Sequence, residues 1–198
     1  MPYRNTNVHL PRSCYGNDFR KNVKIETNRP VMFLAGPIRN APKWQEEAVK
    51  IFLEKNETVF VASPTRELGQ DLMLFVEVDK PTEYELFERQ RAWEQYYLNA
   101  AAQKGCIIFH LCRESDVKEF PDKIYAHITM MELGEWIARC KVDKEINLVI
   151  STDGNFPEWS TIEYELKTEL PFVPIRYSLE EAIDTAIKFC RADIKNLL

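Results

Sequence analysis

Apolar residues in this chain gather in short runs, and each run is followed by a stretch in which they recur every three or four positions. Val31-Met32-Phe33-Leu34-Ala35 is the first run, stopped by Gly36-Pro37. An uninterrupted apolar segment of this length reads as a strand buried on both faces, as in a parallel sheet. Residues 43–55 then carry Trp44, Ala48, Ile51 and Phe52 on one helical face. Residues 58–62 predict a β-branched strand that ends at Ser63-Pro64. Residues 81–103 predict a long helix whose early proline sacrifices no hydrogen bond. Phe87, Gln90, Trp93, Glu94, Tyr97 and Leu98 follow the spacing of that helix. Residues 106–111 form the most apolar strand of the chain. A helix at 129–139, a strand at 147–150, a helix at 158–168, a strand at 172–175 and a closing helix at 179–190 complete the pattern. Strands alternating with helices in this way predict an α/β fold, its parallel sheet covered on both faces. Residues 1–28 are polar and aperiodic and are read as an N-terminal arm, with residues 29–198 as the domain.

In open parallel sheets the ligand lies beyond the carboxyl ends of the strands, where the strand order reverses. That rule selects Gly36-Pro37, Ser63-Pro64 and the loop 112–129 as places to look. Residues 66–80 mix Asp71, Glu77 and Asp79 with Leu72, Leu74 and Phe75, and are read as a lid or a pocket wall.

Composition narrows the classes. A chain of 198 residues fits one domain with a real core. The net charge of −5 argues against a nucleic-acid polymer as partner, since phosphate binding concentrates Lys and Arg. No apolar stretch approaches the roughly 20 residues of a membrane span, and residues 1–22 lack the apolar core of a secretory signal. Cys14, Cys106, Cys112, Cys140 and Cys190 show no CxxC spacing, which suits apolar filling in a reducing, cytoplasmic compartment. His9, His110 and His127 lie far apart, so no metal site is expected.

Glu132, in Thr129-Met130-Met131-Glu132-Leu133-Gly134, is the leading candidate for chemistry. At the N-terminal turn of a helix that follows a strand, a carboxylate faces the ligand side and feels the positive end of the dipole. An ionised carboxylate beside a sugar C1′ can attack as the base departs. A solvated or capping Glu at a helix start is the plain alternative. Glu94, beside Trp93, is a second carboxylate, suited to binding or protonating a leaving nitrogen while the indole stacks on a base; an aromatic at helical spacing equally suits the core. Gln90 and Arg89 lie one turn away, for a base or a phosphate, with surface solvation the plainer reading of Arg89. Gly36 and Pro37 offer backbone amides at a close-approach loop. His110, His127 and Tyr125 are read as structural, with substrate contact as the alternative.

These segments together resemble the nucleoside 2-deoxyribosyltransferase-like superfamily over about residues 30–190. The resemblance rests on VMFLAGPIRNAPKWQ at the first strand and turn, VFVASPTRE at the second, and QRAWEQYYLNAA on the long helix. It continues through CIIFHL on the third strand and ITMMELGEW on the next helix. It implies a flavodoxin-like sheet of five strands in the order 2-1-3-4-5, a retaining double displacement through Glu132, a homo-oligomer, and no cofactor or metal. Residue reading and resemblance together make Glu132 and Glu94 the catalytic candidates, and Gly36, Pro37, Arg39, Trp44, Ser63, Gln90, Trp93 and Thr129 the substrate-binding ones. Two departures stand out. Relatives often carry Ala-Asp where this chain reads Gln103-Lys104-Gly105-Cys106, and an aromatic in the first loop where it reads Ile38-Arg39-Asn40. An arginine there points to a phosphate, hence a nucleotide rather than a free nucleoside.

The expected activity is therefore cleavage or exchange of the N-glycosidic bond of a nucleoside, deoxynucleoside or nucleotide. A catalytically silent nucleotide-binding sensor on the same fold is the alternative, motivated by the missing acid and the arm. A flavodoxin-like electron carrier or a phosphotransfer domain fits less well, because no Ser/Thr-rich phosphate loop and no strand-end acidic cluster is visible.

Overall fold

Every residue of Val31–Ala35 and of Gly105–Leu111 is buried, as strands covered on both faces must be. The computed structural model describes residues 8–9, 28–55, 57–64 and 83–196. Its strands are β1 (Val8–His9), β2 (Val31–Ala35), β3 (Phe60–Ala62), β4 (Gly105–Leu111), β5 (Leu148–Thr152) and β6 (Ile175–Arg176). Its helices are α1 (Trp44–Lys55), α2 (Glu83–Lys104), α3 (His127–Val142), α4 (Trp159–Glu169) and α5 (Leu179–Asn196). The sheet runs β1-β3-β2-β4-β5-β6, and every ladder is parallel. The expected strands, β2 to β6, stand in the flavodoxin-like order 2-1-3-4-5. The arm adds one more at the edge: Val8 lies opposite Val61 and His9 opposite Ala62.

Because side chains alternate along a strand, each strand feeds two cores. Val31, Phe33, Ala35, Ile107, Phe109 and Leu111 pack with Trp93, Tyr97, Leu133 and Trp136, on the side of α2, α3 and α4. Met32, Leu34, Cys106 and Ile108 pack with Trp44, Phe52, Ile183 and Ala186, on the side of α1 and α5. Each fully buried Leu, Ile or Phe in these layers contributes on the order of 1.5–3 kcal/mol. The four described cysteines, Cys106, Cys112, Cys140 and Cys190, are buried thiols outside any disulfide, as apolar filler would be. No described helix is long and apolar enough to cross a membrane.

Several boundaries differ from the sequence pattern, for physical reasons. α3 begins at His127, not Thr129, behind Ala126 in the left-handed region (φ 55°) and with no side-chain cap. β5 continues through Ser151 and Thr152 because their hydroxyls are hydrogen-bonded inside the sheet, to the Phe109 carbonyl at 3.5 Å and the Leu111 carbonyl at 2.8 Å. The last strand shrinks to Ile175–Arg176. α2 runs into β4 with no intervening loop: Lys104 ends the helix and Gly105 starts the strand. A β-carbon on Gly105 would stand 1.8 Å from the Val31 carbonyl oxygen, so only glycine fits this join.

Candidate active site

α2 and α3 each run back along the sheet, one entering β4 and the other following it. Arg91 precedes Lys104 by some 20 Å of helix axis, about six residues of parallel strand, which brings it level with the carboxyl end of β4. There the Nη1 of Arg91 donates to Oε2 of Glu94 at 2.7 Å, and also to Oε1 of Glu132. One guanidinium nitrogen on α2 thus joins the two carboxylates that the sequence proposed. The cluster is largely enclosed: side-chain exposure is 29% for Arg91, 10% for Glu94 and 14% for Glu132. The second oxygen of Glu132, Oε2, accepts no hydrogen bond from the described residues.

The electrostatic setting of Glu132 differs from expectation. The helix starts at His127, so Glu132 sits in its second turn and no acidic residue occupies the first. The dipole effect fades within the first turn, and burial takes over instead. Desolvation raises the Glu132 carboxyl above its ordinary value, with Glu94 and Glu135 pushing the same way, while the hydrogen bond and charge of Arg91 pull it back.

Thr129 is buried three residues before Glu132 on the same side of α3, where it packs rather than reaching solvent. Trp93, expected to stack on a base, faces the sheet instead and is 1% exposed. Its ring lies 6.2 Å from Phe33 and 4.8 Å from Tyr97. Successive helical residues point about 100° apart, so Trp93 enters the core while Glu94 turns toward α3.

A second group of candidates holds the loop after β2. Gly36 has φ +149°, and a β-carbon there would meet the His110 carbonyl oxygen at 2.5 Å and the Trp44 ring at 2.7 Å. The Pro37 carbonyl accepts from Trp44 Nε1 at 2.8 Å and from Gln45 Nε2 at 3.3 Å. Trp44 is therefore a buried prop for the loop, and its indole N–H is spent on backbone rather than substrate. Arg39 is exposed, its guanidinium carbon 5.6 Å from the centre of the Phe120 ring. Ser63 is buried just past β3. The side chains of Arg89 and Gln90 and the expected lid at 66–80 lie outside the described residues.

Sequence reasoning missed two residues that organise this end of the molecule. Asn40, left-handed at φ 57°, exchanges two hydrogen bonds with the Phe120 backbone, at 2.9 and 2.8 Å, and its own carbonyl accepts from Ser115 N at 2.7 Å. It fastens the loop after β2 to the loop after β4, and its readiness to adopt a left-handed backbone was the available signal. Arg91 is the other. Its only sequence signal was its i, i+3 spacing to Glu94.

The remaining strand-end groups are structural. His110 is buried with Nδ1 2.8 Å from Ser151 Oγ and its ring 5.1 Å from that of Trp44. Burial lowers its pKa to about 4, against a small opposing effect of Asp153. Tyr125 donates to the carbonyls of Cys112 and Arg113, at 2.7 and 2.9 Å. Among the described residues no group of His, Cys, Asp and Glu is arranged to hold a metal ion. No protein-family model matches the chain, and no curated protein matches it.

Proposed function

We propose that this chain cleaves or exchanges the N-glycosidic bond of a nucleoside, deoxynucleoside or nucleotide through a covalent glycosyl-Glu132 intermediate. The observation that carries the reading is the meeting of Glu132 and Glu94 on one nitrogen of Arg91, at the carboxyl end of the sheet. Two acceptors on one nitrogen stand within about 6 Å of each other. That spacing suits a retaining pair better than an inverting one, whose carboxylates stand roughly 6.5–9.5 Å apart.

In this reading Oε2 of Glu132 attacks C1′ as the C1′–N bond breaks, its electron pair staying with the base nitrogen. Glu94 delivers a proton to that nitrogen or to the ring bearing it. Glu94 then takes a proton from water or from the N–H of a second base, whose oxygen or nitrogen displaces Glu132 from C1′. Water gives hydrolysis and a base gives exchange. Arg39, exposed above the first loop, supports a phosphate on the substrate. Exposed Ile124, Ile128 and Met131, near Glu132 in sequence, support a homo-oligomer, and buried cysteines outside any disulfide support a cytoplasmic setting.

The test is chromatography of the protein incubated with nucleosides, deoxynucleosides, their 5′-monophosphates and NAD, with and without added free base. Release of base by the wild type and its loss in Glu132→Ala is the expected result. Turnover near the wild-type rate in Glu132→Ala would remove the nucleophile assignment. Tight nucleotide binding with no base released over many hours would favour the silent sensor.

A further inference from the structure

An ionised nucleophile and a burial that opposes ionisation have to be reconciled at Glu132. Among the described residues, the charged groups facing it are Arg91 and Glu94 from α2 and Glu135 from its own helix. Glu135 is already paired, with Arg139 Nη2 at 2.6 Å, and Arg139 Nη1 also donates to Asn99 of α2 at 2.8 Å. Arg91 and Arg139 therefore tie the two helices at points about two turns apart. Only the first tie involves the candidate carboxylates. Its geometry is economical: a single nitrogen serves both acids, while Nε and Nη2 of Arg91 make no hydrogen bond to the described residues.

We propose that Arg91 is a positioning residue, which holds Glu132 and Glu94 at a fixed separation through its Nη1 and keeps Glu132 in the anionic form that can attack. The inference rests on the reading of Glu132 as nucleophile. Arg91 engages Oε1 and so fixes the orientation of the carboxylate, leaving Oε2 as the attacking oxygen of the proposed step. With the guanidinium gone, Glu132 and Glu94 lose the cation they share in this enclosed space, while Glu135 stays paired with Arg139. Burial and repulsion then both favour protonating Glu132. The midpoint for Glu132 therefore rises, its ionised fraction at neutral pH falls, and the acid limb of turnover moves to higher pH.

The experiment is a carboxyl-carbon NMR titration of protein labelled with ¹³C-glutamate, the Glu132 signal being assigned by its loss in Glu132→Gln. Wild type, Arg91→Met and Arg91→Lys are compared, with the pH profile of base release recorded alongside. In Arg91→Met the Glu132 midpoint should rise by about 1–3 pH units, the acid limb of kcat should follow it, and Arg91→Lys should return both toward wild type. Should Arg91→Met not fold, Arg91→Gln removes the charge and keeps a donor, and the same rise is expected. A Glu132 midpoint unmoved by loss of the charge overturns the proposal. A midpoint that rises in a protein releasing no base from any substrate upholds the hold of Arg91 on Glu132 and removes the glycosidic reading alone.

Discussion

Acidification from pH 7 to 4.5 should weaken this fold in a way that one substitution, His110→Gln, largely relieves. His110 sits one residue from the end of β4, 7% exposed, between the Trp44 ring and the Ser151 hydroxyl. In that setting the imidazole stays neutral down to about pH 4, whereas the ordinary value for a histidine is 6.5. The unfolded chain takes up a proton that the folded chain refuses. The contribution of His110 is thus fully present above pH 6.5, and it is lost as pH falls from there through 4. At one pH unit per 1.36 kcal/mol, the whole window amounts to about 3 kcal/mol. Linkage gives almost no loss at pH 7.5, about 1.4 kcal/mol at pH 5.5 and about 2.5 kcal/mol at pH 4.5. Against a total of roughly 5–15 kcal/mol for a domain, that is a visible fraction. Urea unfolding of wild type and His110→Gln at the three pH values measures it, because carboxylates that titrate in both proteins cancel in the difference. The stability advantage of wild type over the variant should shrink by those amounts as pH falls. Parallel pH dependences in the two proteins would refute the reasoning and place the imidazole in a more polar setting than its contacts imply.

Two further predictions concern the loops. Gly36→Ala places a β-carbon 2.5 Å from the His110 carbonyl oxygen in a backbone region that disfavours side chains; a loss of about 2–4 kcal/mol is expected, read by urea or thermal unfolding. Asn40→Ala removes both bonds to Phe120 and should cost about 1–3 kcal/mol, with faster proteolysis of the segment 112–126 under native conditions.

The strands were legible because parallel strands buried on both faces leave a mark that needs no partner to interpret: apolar runs that stop at Gly-Pro or Ser-Pro. The extension of β5 was hidden, since Ser151 and Thr152 look like a strand end until the carbonyls of Phe109 and Leu111 are seen to accept their hydroxyls. The start of α3 was hidden because Ala126 is not a capping residue type. That shift changes the physics of Glu132, replacing a dipole at the first turn with burial and an arginine. Glu94 and Glu132, which meet on Arg91, were both singled out in the sequence, one through its aromatic neighbour and the other through its motif. The aromatic neighbour misled in detail, because adjacent helical residues diverge and Trp93 went to the core. Arg91 was passed over for a general reason. An arginine on a polar helix face reads as solvated, and only the packing of α2 beside α3 turns it inward.

The loopless junction at Lys104–Gly105 makes α2 a lever with no slack. One residue inserted there would turn the helix by about 100° and shift it about 1.5 Å along its axis, carrying Arg91 and Glu94 off the line of Glu132 together. A deletion would do the same in the opposite sense. Descendants of this chain are therefore free to lengthen the segment 112–126, whose ends are separately anchored, but not the junction. Changes in length among its descendants should accumulate on one side of β4 and be purged on the other.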